Sequence, residues 1–106
     1  MGAISPQDIE KRIGAEYYVA GHSVYQDGPV HPALSTLTIC ILVLTNGFTV
    51  IGESNCVDPA DFDADIGRMV AKKRAVDKVW ELEGYLMRWQ RYRGDQDVKA
   101  QERQQG

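Results

Sequence analysis

Residues 37–86 decide the fold, and they read LTICILVLTNGFTVIGESNCVDPADFDADIGRMVAKKRAVDKVWELEGYL. Two apolar runs flank Asn46-Gly47, the strongest two-residue hairpin signal, because both central residues of a type I′ turn adopt positive φ. An acidic loop follows, and the apolar residues after it recur at helical spacing. The stretch therefore predicts a β-hairpin that leads into a long basic helix.

The predicted turn also sets how the two strands pair. It places Thr45 opposite Phe48, Val43 opposite Val50, and Leu42 opposite Ile51. One face then carries Leu37, Ile39, Ile41, Val43, Phe48 and Val50, and the other carries Cys40, Leu42, Leu44 and Ile51. A hairpin with one buried face alternates apolar and polar residues, so we expect this sheet to be covered on both sides. The chain's own helices would cover one side, and a second subunit or the first helix the other. This predicts a homo-oligomer, a dimer or larger.

The flanking segments add a helix and a strand. Ser5 is a suitable helix cap, Pro6 suits the first helical position, and Asp8 adds negative charge to the first turn. Gly14 is expected to end this short helix. Residues 16–20 (EYYVA) predict a short strand, and residues 21–33 predict a loop whose position stays open. Glu83-Gly84 predicts a kink or break before a final helix.

The predicted fold class is α+β. An antiparallel hairpin sheet of about three strands packs against a long C-terminal helix, with a short N-terminal helix beside it. A chain of 106 residues forms one domain, which we place at residues 1–93. Residues 94–106 (GDQDVKAQERQQG) are polar and lack aromatic side chains, so they predict a disordered tail.

Composition excludes several classes of protein. The N-terminus has no apolar signal segment, and no run approaches the roughly 20 apolar residues of a membrane span. The two cysteines are too few for a disulfide framework, so we expect a cytoplasmic protein with reduced thiols and no membrane partner. Eight of the 12 Lys and Arg lie within residues 68–93, but the net charge is −3. Nucleic acid is therefore not the expected partner.

Catalytic and metal motifs are weak. The aspartates 58, 61, 63 and 65 lack the glycine and glutamate of a calcium loop, and helix capping explains them better. Cys40, Cys56, His22 and His31 lack zinc spacing. Cys56 or Ser54 as a nucleophile would need one of the two histidines as its base. We therefore expect a protein that is not an enzyme, with no metal and no cofactor.

Arginines and aromatic residues interleave near the C-terminus. Residues 85–93 read YLMRWQRYR. Arginine offers a planar fork for phosphate, while tryptophan and tyrosine can stack on a base. The alternative is an amphipathic helix with an apolar core face and a solvated arginine face. This stretch is the best place on the chain for a phosphate-rich ligand.

Several motifs together resemble one family. The N-G-F turn, the G-E-S-x-C segment, the F-D-x-x-I-G-R helix start and the W-x-L-E-G-Y-L end occur in order within residues 37–86. This chain resembles a family of small tailed-phage and prophage proteins, typified by gene product 49 of one enterobacterial podophage and gene product 66 of another. Two positions depart from the family pattern: Asp61 stands where asparagine is usual before Phe62, and Arg74 where asparagine is common before Ala75.

The resemblance extends to phage Thoeris anti-defence proteins, and it implies a function. These proteins bind nucleotide immune signals of the cyclic ADP-ribose type without cleaving them. By this resemblance the chain would sequester a small nucleotide and block host defence. Arg88, Arg91 or Arg93 would clamp the diphosphate. Trp89, Tyr92 or Phe62 would stack on the adenine or cover the ribose, at a subunit interface. The alternative is a phage protein that binds and modulates a host protein.

Overall fold

The structure is a computed structural model that describes residues 3–105, with side chains described to Arg103. It contains two α-helices and three β-strands. Their bounds are α1 Pro6–Arg12, β1 Ile13–Ala20, β2 Leu37–Leu44, β3 Thr49–Asn55 and α2 Ala64–Gln105. Short 3₁₀ turns occupy Gly21–Ser23, Pro32–Thr36 and Pro59–Asp61. The strands form one antiparallel sheet in the order β1-β2-β3. The predicted α+β fold class is confirmed.

The N-terminal helix begins as its sequence predicts. The backbone N–H of Asp8 donates to Ser5 Oγ at 3.1 Å, and the Ser5 N–H donates to Asp8 Oδ2 at 2.9 Å, which forms a capping box. The helix ends at Arg12, before Gly14, because Ile13 is already extended and starts β1. The strand predicted at residues 16–20 therefore begins three residues earlier than expected.

The hairpin turn differs from the predicted two-residue turn. Leu44 N–H donates to the carbonyl of Phe48 at 2.7 Å, so the loop consists of residues 45–47. Gly47, with φ of 88°, is the only residue with positive φ in the described part of the chain. Asn46 instead accepts the Phe48 N–H on its side-chain oxygen at 3.0 Å. This is the geometry of a three-residue hairpin with glycine in the left-handed position.

The longer loop shifts the strand register by one residue. Leu42 lies opposite Val50, and Val43 lies opposite Thr49, so the predicted pairing is wrong. A slip of one residue exchanges the faces of a strand. Val50 therefore points to the buried face with Leu42, and Ile51 points to the opposite face with Ile41.

The core lies between α2 and one face of the sheet. It consists of Ile9, Cys40, Leu42, Leu44, Val50, Ala71, Ala75 and Val79. Gly52 allows the close approach of α2, because a Cβ there would overlap the backbone of Ala71 and Ala75. The two alanines and the glycine thus bring helix and strand into direct backbone contact.

The other face of the sheet carries apolar side chains that are half-buried or exposed within residues 3–105. Ile39 and Ile41 are half-buried, whereas Tyr17 is 58% and Ile51 is 48% exposed. The first helix packs against α2 instead, which rules out its predicted role as the cover of this face. The second subunit stays a prediction.

The second helix is a single element that extends beyond the sheet. It runs unbroken from Ala64 to Gln105 with Gly84 inside it, so the predicted separate final helix is wrong. The molecule measures 70 × 28 × 23 Å, and its radius of gyration is 20.1 Å. A compact chain of this length has about 13 Å. We call residues 84–105 the α2 arm. It includes residues 94–105 of the segment predicted to be a disordered tail, which are helical and are exposed as far as Arg103, whereas Gly106 lies outside the described residues. Disorder in solution stays a prediction.

Candidate ligand-binding site

Aromatic side chains line one side of the α2 arm. Tyr85, Trp89 and Tyr92 are spaced by four and three residues, so they lie on one side of the helix. They form consecutive edge-to-face pairs, with ring centroids 6.3 Å apart for Tyr85–Trp89 and 5.6 Å apart for Trp89–Tyr92. All three are exposed, between 41% and 65%. This ladder of aromatic rings is therefore largely open to solvent.

Two arginines flank the ladder. Arg88 lines an open groove of about 270 Å³ together with Tyr85, Trp89 and Tyr92. The guanidinium carbon of Arg93 lies 5.8 Å from the Trp89 ring centroid, in cation–π geometry. Arg91 does not line the groove and follows Arg88 by three residues on the adjoining helix surface. The groove is thus apolar at its floor and positively charged at its rim.

These arginines differ from most basic residues on the body of the domain. Within residues 3–103, Arg12 pairs with Glu83 at 2.8 Å, and Lys72 pairs with Glu16 at 3.0 Å. Arg68 and Lys73 pair with Asp65 and Asp77 at longer distances of 3.8 and 3.7 Å. By contrast, Arg88, Arg91 and Arg93 form no ion pair with any described carboxylate. Their guanidinium groups are available to an anion such as a diphosphate.

Phe62 lies far from these residues. It precedes α2 and packs beside Gly67 at the start of that helix. The rise of an α-helix places Ala64 and Trp89 about 38 Å apart along the axis. Phe62 and Trp89 of one chain therefore cannot hold the same nucleotide. Tyr85, which sequence reasoning left out of the site, lines the groove beside Trp89. Its four-residue spacing from Trp89 was the available signal.

A second polar cluster lies on β1, where it faces α2. Glu16 accepts from Tyr18 Oη at 3.1 Å and pairs with Lys72, and Arg68 stands 6.0 Å from the Tyr18 ring centroid. The Lys72 hydrogen bond lowers the pKa of Glu16. Desolvation, with the Glu16 hydrogen bond, raises the pKa of Tyr18 to about 12. The cluster joins the strand to the helix.

The other candidate residues have structural contacts. Asp58 Oδ1 accepts the Ala60 N–H at 3.0 Å, and Asp63 Oδ1 accepts the Asp65 N–H at 2.9 Å, so both cap helical turns. Cys40 is fully buried in β2, and burial raises the pKa of its thiol. Cys56 Sγ donates to the Asp58 carbonyl at 3.2 Å. No group of three or more metal-ligating side chains occurs among the residues described.

Comparison with known proteins identifies a family. The model described as "Phage protein (N4 Gp49/phage Sf6 gene 66) family" matches residues 4–90. The chain belongs to this family. The match to the N4 Gp49/Sf6 gene 66 family spans α1, the sheet and most of α2. It includes Arg88 and Trp89 but ends before Arg91.

The remaining comparisons add no relative. No curated protein and no solved structure matches the chain significantly. The resemblance to Thoeris anti-defence proteins therefore has no support among the comparisons. Within residues 3–105, no helix is long and apolar enough to span a membrane.

Proposed function

We propose that this phage-family protein sequesters a nucleotide immune signal of the cyclic ADP-ribose type, without catalysis, in the groove on the α2 arm. The observation that carries the proposal is the pairing of an exposed aromatic ladder with arginines that have no acidic partner in the described chain. The ladder offers stacking surfaces for an adenine, and stacking contributes about 1–3 kcal/mol per base. The arginine forks match the oxygens of a diphosphate.

Position on the chain also supports a binding role. The groove lies on the part of α2 that projects from the domain, so changes in it leave the buried core intact. Sequestration requires affinity for the ground state of the ligand, and it needs no acid, base or nucleophile. The groove contains no carboxylate, histidine or thiol that could cleave a bound nucleotide.

Calorimetry tests the proposal directly. The purified full chain is titrated with cyclic ADP-ribose isomers, cyclic di- and trinucleotides, and linear ADP-ribose. We expect one cyclic species to bind and to be recovered intact after the protein is denatured by heat. Arg88→Ala should weaken binding by about 10-fold to 100-fold, the loss expected for a charge-assisted hydrogen bond. Its matched control is Arg103→Ala, an exposed arginine on the same helix outside the groove.

The same experiment can refute the proposal in two ways. Equal affinity of the Arg88→Ala and Arg103→Ala variants would place the ligand elsewhere. Absence of heat with every nucleotide, or conversion of the ligand to a product, would refute sequestration itself.

The apolar sheet face favours a second candidate function, the binding of a host protein. Tyr17 and Ile51 lie exposed on this face beside the half-buried Ile41. Exposed apolar patches of this kind mark protein interaction sites. A Tyr17→Lys, Ile51→Lys double variant should lose a host partner captured by the wild-type protein and should keep nucleotide binding. Retention of the partner by this variant would exclude the face.

A further inference from the structure

The two edges of the sheet differ in their protection. On β3, the carbonyl of Ile51 accepts from Lys78 Nζ, and the carbonyl of Glu53 accepts from Arg74 Nη1 at 2.8 Å. Leu44 and Phe48 form a hydrogen-bonded pair, and every second residue of β3 after Phe48 directs its backbone groups toward β2. The carbonyls of Ile51 and Glu53 therefore point away from β2. Long basic side chains from α2 thus cover this edge, which is a known defence against pairing with another strand.

The backbone of the β1 edge has no such cover, because Lys72 and Arg68 of α2 contact side chains of β1 and not its carbonyls. The same alternation turns the backbone groups of Ala15, Tyr17 and Val19 toward β2, and those of Glu16, Tyr18 and Ala20 outward. None of the outward groups has a hydrogen-bond partner among the described residues. The strand contains no proline, and Glu16 is its only charged side chain. An open, nearly uncharged edge of this length is a template for an added strand.

We propose that β1 pairs antiparallel with β1 of a second copy of this chain, about a two-fold axis at Tyr17. The two three-stranded sheets would then form one continuous sheet of six strands. With the axis at Tyr17, residues 14–20 of one copy lie beside residues 14–20 of the other. The outward N–H and C=O of Glu16 then form hydrogen bonds with those of the partner's Tyr18. A register in which Glu16 met its own copy would oppose like charges, which is destabilising.

Charge complementarity favours a second copy over an unrelated strand. Arg68 lies above the Tyr18 ring, so the partner's Glu16 would approach both a phenol and a guanidinium. Within one chain, Tyr18 Oη donates its single proton to Glu16 Oε2, so the attraction of the partner's Glu16 rests on the Arg68 guanidinium. In this dimer the two β1 edges pair with each other, and the covered β3 edges form the outer edges of the six-stranded sheet. The assembly therefore closes as a dimer and does not grow into a fibre.

The dimer would leave the proposed nucleotide groove accessible. The α2 arm extends past the hairpin turn, because Lys78 reaches Ile51 and the helix continues beyond it. A two-fold axis perpendicular to the sheet then directs the two arms away from each other. Dimerisation and ligand binding can consequently be tested separately.

Cysteine crosslinking tests the pairing. At the axis, Tyr17 forms a non-hydrogen-bonded pair with itself, where Cα atoms are about 4.5 Å apart, within the range of a disulfide. Tyr17→Cys is compared with Ile51→Cys, which lies on the same face with similar exposure but next to the covered edge. Both carry Cys56→Ser, and the buried Cys40 is kept. We expect Tyr17→Cys to form a disulfide-linked dimer about 10-fold faster than Ile51→Cys, since proximity sets the rate.

A second pair of variants tests the backbone contact. Tyr18→Pro removes an outward N–H on β1, and Thr49→Pro removes an outward N–H on β3, so neither disrupts the internal ladder. By light scattering, the wild type and Thr49→Pro should have twice the 11.9 kDa mass of one chain, and Tyr18→Pro should have the monomer mass. A monomeric wild type would overturn the proposal, as would equal crosslinking at residues 17 and 51, which would indicate packing of sheet faces.

Discussion

Gly52→Ala tests the backbone contact between α2 and β3. The added Cβ would overlap the backbone of Ala71 and Ala75 and would lie 2.9 Å from the Ala75 Cα. Backbone cannot swing aside as a flexible side chain does, so α2 must move outward by about 1 Å, which opens the contact around the fully buried Val79. Overpacking of this kind costs about 1–3 kcal/mol. We expect a net loss of about 1–2 kcal/mol, because alanine loses less backbone entropy than glycine when it enters a strand and this offsets part of the overpacking cost.

Gly84→Ala is the matched control. Nothing lies within 4 Å of the Cβ position at Gly84, which is inside α2, so the same change should favour the helix by roughly 0.5–1 kcal/mol. Thermal melting followed by circular dichroism should show a Tm lower by about 5–15 °C for Gly52→Ala and not lower for Gly84→Ala. A Tm for Gly52→Ala within about 2 °C of wild type would refute the close contact between helix and strand.

Three further substitutions report on the turn, the cap and the polar cluster. Gly47→Ala places a side chain at φ of 88°, and urea denaturation should show a loss of about 1–2 kcal/mol; an unchanged midpoint would contradict the left-handed turn. Ser5→Ala removes the 3.1 Å bond from Asp8 N–H and should cost about 1 kcal/mol in the same assay, so full stability would rule out the capping box as a contributor. The folded-state pKa of Glu16 lies below the ordinary 4.5. The contribution of ionised Glu16 to stability is therefore complete above pH 4.5 and is lost as the pH falls through the lowered pKa. Glu16→Gln should therefore lower stability at pH 7 by about 0.5 kcal/mol, discounted for its exposed partner, and flatten the dependence of stability on pH below about 5. An equally steep pH dependence in the variant would show that other carboxylates cause it.

The candidate site was predictable in part. The local sequence 85–93 identifies Arg88, Trp89 and Tyr92 as neighbours, because helical spacing alone brings them to one groove. Phe62 lies far from the groove of its own chain because α2 is unbroken through Gly84, and its role in ligand binding stays a prediction. A glycine and a glutamate in sequence do not reveal whether a helix ends there or continues.

The hairpin also shows what local sequence does not determine, because its loop length differs by one residue from the prediction. Asn46-Gly47 identified the turn correctly, but a two-residue and a three-residue loop both suit these residues. Burial decides between them, since the observed register places Val50 beside Leu42 under α2 and leaves Ile51 on the outer face. Register is specified by what covers the sheet, and that information lies outside the hairpin.

The sequence by itself determined the class of elements and their order. Helix caps, turn residues and apolar periodicity depend only on residues close in sequence. The helix start at Ser5, the turn at Asn46-Gly47 and the strand β2 could therefore be predicted from the local sequence. Only the tertiary structure decided the strand register, the backbone contact at Gly52, and the difference between the covered β3 edge and the open β1 edge. All three features depend on which part of the sheet α2 covers, and this is set by contacts between residues distant in the chain.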